Sequence, residues 1–236
     1  MKYLALLLAL PITLPVTLIA RPAFAKERSV TVTAFNRVRI EGAFVVEIVT
    51  GHGASARISG SEQAIERTSI QNQGEMLIIK ASHNAWGGWQ DEDVGPATIR
   101  LTTAELRTIG SSGASTVKID HMRGASVTIA QDGSGSLSIG SVEADTLDIG
   151  MAGAGSLTIA GKGAETHIAV RGAGILDASA LAISDLRLSS DGSAVVKVAA
   201  KRSANIVATG TGTVTVAGKP ACTVVNKGSG SVSCGH

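Results

Sequence analysis

Between Gly113 and Cys234 the chain repeats one hydrophobic–polar pattern seven times: a glycine, an aliphatic residue four positions on, and another apolar residue two positions later. The glycines are Gly113, Gly133, Gly153, Gly172, Gly192, Gly210 and Gly228, spaced by 20, 20, 19, 20, 18 and 18 residues. The +4 residues are Val117, Leu137, Leu157, Leu176, Val196, Val214 and Val232. The +6 residues are Ile119, Ile139, Ile159, Ala178, Val198, Val216 and Cys234. A second alternation follows at Val127/Ile129, Leu147/Ile149, Ile168/Val170, Leu186/Leu188, Ile206/Ala208 and Val224. Alternation by two puts these residues on the inner face of strands, and a period near 20 stacks successive turns of chain. The pattern predicts an all-β solenoid with coils of about 20 residues carrying two or more strands.

The residues between the apolar positions face outward. At +5 they are Lys118, Ser138, Thr158, Asp177, Lys197, Thr215 and Ser233, a mostly hydroxyl-bearing ladder that makes a flat, weakly charged face. Small residues recur at +2 (Ser115, Gly135, Gly155, Gly174, Ala194, Gly212 and Gly230), so the pair around each repeat glycine predicts turns with positive φ and closely stacked backbones. Asp132 and Asp191 precede two of these glycines, where a carboxylate bonds to the turn backbone.

Residues 30–101 read as a separate strand region, and the regular repeats occupy 110–234, in one domain spanning 30–234. Strand runs fall at Val38–Ile40, Phe44–Val49, Ala56–Ser59, Met76–Lys80 and Ala97–Leu101. Ser61 precedes a short polar–apolar stretch and predicts one capped helical turn. Asn72-Gln73-Gly74 predicts a tight turn between two strands. This region is expected to cap one end of the stack, and a cysteine pair to secure the other.

Residues 1–25 have the form of a secretory leader, with Lys2, an apolar run Leu4–Leu10 and Ala23-Phe24-Ala25 before the cleavage point. Pro11, Pro15 and Arg21 argue against a retained transmembrane helix, so no transmembrane segment is expected in the mature chain. The leader takes Lys2 and Arg21 with it, which lowers the basic count from 21 to 19 against 19 acids. A formally neutral mature chain lacks the basic footprint of a nucleic-acid binder. In an exported protein Cys222 and Cys234 read as a disulfide, both with inward parity. Closing a loop of about 13 residues is worth roughly 3 kcal/mol in the chain-entropy model.

Candidate chemistry is sparse. The acids Asp120, Glu143, Asp145, Asp148, Glu165, Asp177 and Asp185 are isolated along the repeats, with Asp145 and Asp148 expected on opposite faces. His52, His83, His121, His167 and His236 have no ligand spacing. The DGSG turn at 132–135 and DGSA at 191–194 superficially resemble calcium loops. However, Ser136 or Val195 stands where a ligand is needed, and other turns carry Arg171 or Lys227. The irregular segment from His83 to Pro96 holds Trp86 and Trp89, which either stack on a ligand or, in the favoured reading, fold back over the end of the core. No catalytic, cofactor-binding or metal-binding residue is assigned.

The stretch FNRVRIEG (35–42), then VVEIVTG (45–51), RISG (57–60) and NQGEMLIIK (72–80), with the later GSGSLSI, GAGSLTI and GTGTVTV turns, resembles the head GIN domain family, described as a putative auto-transporter adhesin head. The resemblance spans roughly residues 35–234. It implies a right-handed parallel β-helix in a bacterial envelope or secreted protein, with no catalytic residues to carry over. A self-translocating chain needs a membrane barrel of long amphipathic strands. None follows the last repeat before His236, so a head-like module exported by the general route is expected. Taken together, the sequence reads as a non-enzymatic, exported, periplasmic or cell-surface protein that binds or scaffolds, with an envelope glycan or a protein as partner. The alternative is a carbohydrate-active enzyme, a polysaccharide lyase or hydrolase, on a β-helix.

Overall fold

The computed structural model describes residues 26–82 and 95–235. Of these, 75% are strand and 3% helix, in about six stacked turns of a β-solenoid. The strands in chain order are β1 (Lys26–Val30), β2 (Arg37–Gly42), β3 (Val45–Thr50), β4 (Ser55–Gly60), β5 (Thr68–Gln73), β6 (Met76–Ala81), β7 (Thr98–Thr103), β8 (Thr108–Gly113), β9 (Thr116–Gly133), β10 (Ser136–Gly153), β11 (Ser156–Gly172), β12 (Ile175–Gly192), β13 (Val195–Gly210), β14 (Thr213–Ala217), β15 (Ala221–Asn226) and β16 (Ser231–Cys234). Among the described residues the one helix, α1 (Glu62–Glu66), lies between β4 and β5.

The stack has two long walls joined by a short third face, formed by Val142–Ala144 of β10 and its counterparts on the other coils. One long wall runs β1-β4-β7-β3 and then through the first halves of β9 to β13 to β14 and β16. The other runs β5-β6-β2-β8 and then through the second halves of β9 to β13 to β15. Pairing is parallel and in register, so like residues stack on like. Val46, Val117, Leu137, Leu157, Leu176, Val196, Val214 and Val232 form one column. Val38, Ile109, Ile129, Ile149, Ile168, Leu188 and Ile206 form another opposite it. All of these are buried except Val232, which is half-buried. Each such aliphatic side chain removed from water contributes about 1.5–3 kcal/mol.

Each repeat was expected to supply two strands. Instead β9 to β13 each run continuously for 16–18 residues from one wall into the other. The bend is absorbed by a change of side-chain parity. This happens twice per coil: in β10 the inward residues are Leu137 and Ile139, then Val142 and Ala144, then Leu147 and Ile149, with Gly140-Ser141 at the first change and Asp145, which has no register partner on either neighbouring coil, at the second. This corrects the expected placement of Asp145 and Asp148: the parity switch puts both on the outside, on successive segments of the coil.

The turn glycines divide into two roles. Gly113, Gly133, Gly153, Gly172, Gly192 and Gly210 have φ between +98° and +114°, the region that an L side chain avoids. The +2 glycines have ordinary φ but face inward, where there is no room. A Cβ on Gly155 would lie 2.4 Å from Nε2 of Gln131, and one on Gly174 2.3 Å from Cε of Met151. Small +2 residues therefore make space for long inward side chains, which extend the core beyond Val, Ile, Leu and Ala. Gly228 departs from the other repeat glycines. Its φ is not positive, and Asn226 holds its turn by accepting from Gly228 N at 3.1 Å and donating to Gly230 O at 2.8 Å.

At the N-terminal end parallel stacking gives way to antiparallel pairing, β1 with β4, β4 with β7, and β5 with β6. Ser61 caps α1, its hydroxyl accepting from Ala64 N at 3.1 Å, as the sequence predicts, and Ala64 and Ile65 are buried. Phe35 and Phe44 are buried here too. At the other end Cys222 and Cys234 form the expected disulfide, with Cα atoms 6.5 Å apart. Their expected burial is corrected: Cys222 is exposed, Cys234 half-buried, and Val224 is 42% exposed. The cause is that β15 pairs only with β13, and among the described residues no coil lies beyond it.

Candidate functional site

With the aliphatic residues turned inward, the polar chemistry of the repeats lies on the outer surface, where the 18–20-residue period brings distant side chains side by side. Arg123, Glu143 and Lys162 occupy adjacent register positions on β9, β10 and β11. Glu143 bridges the two cations, at 3.5 Å to Arg123 and 3.3 Å to Lys162. Lys162, chiefly by its hydrogen bond and then its charge, holds the Glu143 carboxyl below its ordinary value.

A second cluster lies further round the coils. Asp148, His167 and Arg187 stack in register on β10, β11 and β12, with Glu165 two residues before the histidine. Nδ1 of His167 is 3.2 Å from Asp148, and Nε2 is 2.8 Å from the Arg187 guanidinium and 3.2 Å from Glu165. Arg187 also donates to Glu165. Hydrogen bonds from His167 and then Arg187 hold the Glu165 carboxyl low. Beside it Asp185 accepts from both the Arg202 guanidinium and, at 2.6 Å, the Ser203 hydroxyl. Those bonds, Arg202's first, bring its carboxyl to about 2.

Two further acids singled out in the sequence, Asp120 and Asp177, bond to the backbone, while Asp145 is exposed. Asp120 accepts from the backbone N–H of Thr50 at 3.0 Å and of His121 at 2.6 Å, so it closes the end of β3. Asp177 accepts from the Ser179 hydroxyl at 2.6 Å and backbone at 3.1 Å, bonds that lower its carboxyl. Glu143, Glu165, Asp177 and Asp185 are all lowered, the opposite of what a proton-donating acid requires near neutral pH. The sequence reading missed the pairing of acids with bases across coils. The signal was present in the repeat itself, since Arg123, Glu143 and Lys162 follow one another at 20 and 19 residues.

The wall that carries β15 also bears two adjoining shallow grooves. One, of about 440 Å³, is lined by Gly110, Ala130 and Gly150 together with Arg39, Glu41, Asp132 and Arg171. The next, of about 520 Å³, continues over Ala169 toward Val207, with His167 and Arg187 along one margin. The opposite wall carries the expected +5 ladder, with Lys118, Ser138, Thr158 and Lys197 exposed. Trp86 and Trp89 lie outside the described residues. Among the described residues no helix is long and apolar enough to cross a membrane.

Continuous strand coils, an interior of stacked aliphatics and an outer surface of cross-coil ion pairs define a repeat protein that presents extended surfaces. The chain belongs to the family described as "Putative auto-transporter adhesin, head GIN domain", which matches residues 34–220. Several solved structures share the fold. A putative adhesin from Bacteroides fragilis has a TM-score of 0.81 and 18% identity, over 90% of this chain and 97% of that one. A putative lipid binding protein from Parabacteroides distasonis has a TM-score of 0.71 and 15% identity, over 91% and 98%. A putative adhesin from Parabacteroides merdae has a TM-score of 0.69 and 14% identity, over 89% and 96%. No curated protein matches the sequence.

Proposed function

We propose that this protein is an exported, non-catalytic β-solenoid of the bacterial envelope with an adhesin-like role, binding an envelope glycan or a protein partner through its outer walls. The observation that carries the reading is the state of the outward acids. Glu143, Glu165 and Asp185 are each held by cations of neighbouring coils and each lowered, so the surface offers fixed charges in rows in place of an acid and a base poised over one bond. Membership in an adhesin-head family and the adhesin names of two of the structural relatives support the same role. Export is supported by the leader-like residues 1–25 and by the Cys222–Cys234 disulfide, a bond that persists in oxidising compartments.

The grooved wall is where we place the contact, because charged groups of both signs, Arg39 and Arg171 with Glu41 and Asp132, line a row of small residues open to an extended ligand. The test is a binding screen of the mature protein against glycans and envelope fractions, repeated with Arg39→Glu/Arg171→Glu on this wall and Lys118→Glu/Lys197→Glu on the other. The expected result is binding that falls at least about tenfold in the first variant, with the melting temperature unchanged. Loss only in the second variant moves the contact to the other wall. Absence of binding to every fraction overturns the reading.

A further inference from the structure

The coil that carries the disulfide is built differently from the five before it. In β9 to β13 the strand runs unbroken through the bend, but between β14 and β15 it is interrupted by Gly218-Lys219-Pro220. Proline has no N–H to offer the ladder, and β13 is paired here by two separate short ladders, with Thr213–Ala217 of β14 and with Ala221–Asn226 of β15. Beyond the interruption every residue of β15 is exposed. Val224 is 42% exposed, whereas the residues below it in the same column, Ile206, Leu188 and Ile168, are 1–2% exposed. β15 pairs along one edge with β13, and β16 pairs over four residues with β14. Residues 221–235 also lie beyond the stretch that matches the family, which ends at 220.

We infer that residues 218–235 form a separately opening unit, a clasp over the edges of β13 and β14, and that the Cys222–Cys234 disulfide sets whether it is closed. β15 and β16 lie on opposite walls, so each alone holds by a short edge ladder. The disulfide ties the two ladders together and makes them open or close as one. Cys222 is exposed and open to attack by a dithiol reductant. One thiolate of the dithiol attacks Sγ of Cys222, the S–S bond breaks, and its electron pair leaves on Sγ of Cys234. The second thiolate then attacks the mixed disulfide, releases Cys222 and leaves the reductant as its own disulfide. Two electrons pass to the cystine, and the two cysteine thiolates take up the protons that the dithiol gave up. With the clasp open, the backbone groups of Ser203–Ala208 in β13 and Thr213–Val216 in β14 become free edges, which are templates for pairing with another extended segment.

Hydrogen exchange read by peptide mass tests this on the mature protein in three forms: oxidised, reduced with dithiothreitol, and Cys222→Ser/Cys234→Ser. Closing a loop of this length, with the cysteines 12 residues apart, corresponds to about a 100-fold change in the opening equilibrium. The protected amides of 221–234 are expected to exchange about 100-fold faster in the reduced protein and in the variant, with β9 to β12 unchanged. An acceleration below about tenfold in 221–234 overturns the inference, as does an acceleration that reaches β9 to β12 equally. The reduced wild-type protein keeps the test open if the double variant fails to fold.

Discussion

At Gly153 a methyl group has nowhere to go. Its φ is +98°, and a Cβ there would sit 2.5 Å from the carbonyl oxygen of Gly133 on the coil below. That same carbonyl accepts from Ala154 N at 3.0 Å, so moving the coils apart breaks the ladder as well. Gly153→Ala is expected to lose about 1–3 kcal/mol in urea unfolding. Gly110→Ala, with ordinary φ and nothing within 4 Å of the added carbon, should stay within about 0.5 kcal/mol. Equal losses in the two variants would contradict the stacking argument. Asp185 gives a residue-scale prediction about pH. Its folded carboxyl titrates at about 2 against an ordinary 3.8, so it contributes stability that is present above the ordinary value and lost as pH falls through the folded one. Asp185→Asn should flatten the fall of stability between about pH 4 and pH 2 without changing the slope above about pH 5. The check is a series of melts across that range; parallel curves for variant and wild type would refute the assignment.

Among the elements, the long strands show what alternation conveys and what it omits. The inward columns were legible, because an aliphatic residue at every second position leaves one face to bury. Leu157 is fully buried between Leu137 and Leu176, so Leu157→Ala should cost about 2–5 kcal/mol. Its outward neighbour Thr158, replaced by alanine, should cost within about 0.5 kcal/mol. Comparable losses from the two would mean that the two faces are wrongly assigned. The bend was not legible. The first parity change falls at Gly140-Ser141, but at Asp145 the second comes without a glycine or proline to mark it, because the strand backbone continues and only the side-chain direction shifts. Strand β1 was missed for a related reason: KERSV has no apolar alternation and is held by antiparallel backbone pairing to β4. The capped turn at Ser61 was readable because a cap is a local device, settled by neighbouring residues.

At the scale of the whole molecule the repeat period determines both the fold and the surface. The same 18–20-residue spacing that stacks aliphatics inside sets Arg123 beside Glu143 and Lys162, and Asp148 beside His167 and Arg187, outside. The first consequence was readable as a solenoid. The second was not, since an acid looks isolated until the register that brings its partner alongside is known. The disulfide was foreseen from parity and compartment, but not the exposure of β15, which depends on what lies beside the strand. The central claim is that this surface binds without transforming what it holds. Incubation of the mature protein with the envelope polysaccharide fraction it retains, followed by sizing of the polysaccharide and assay of new reducing or unsaturated ends, tests that claim most directly. The account predicts polysaccharide recovered at its original length with no new ends. Shortened chains whose formation is abolished by Glu165→Gln or Asp148→Asn would contradict it.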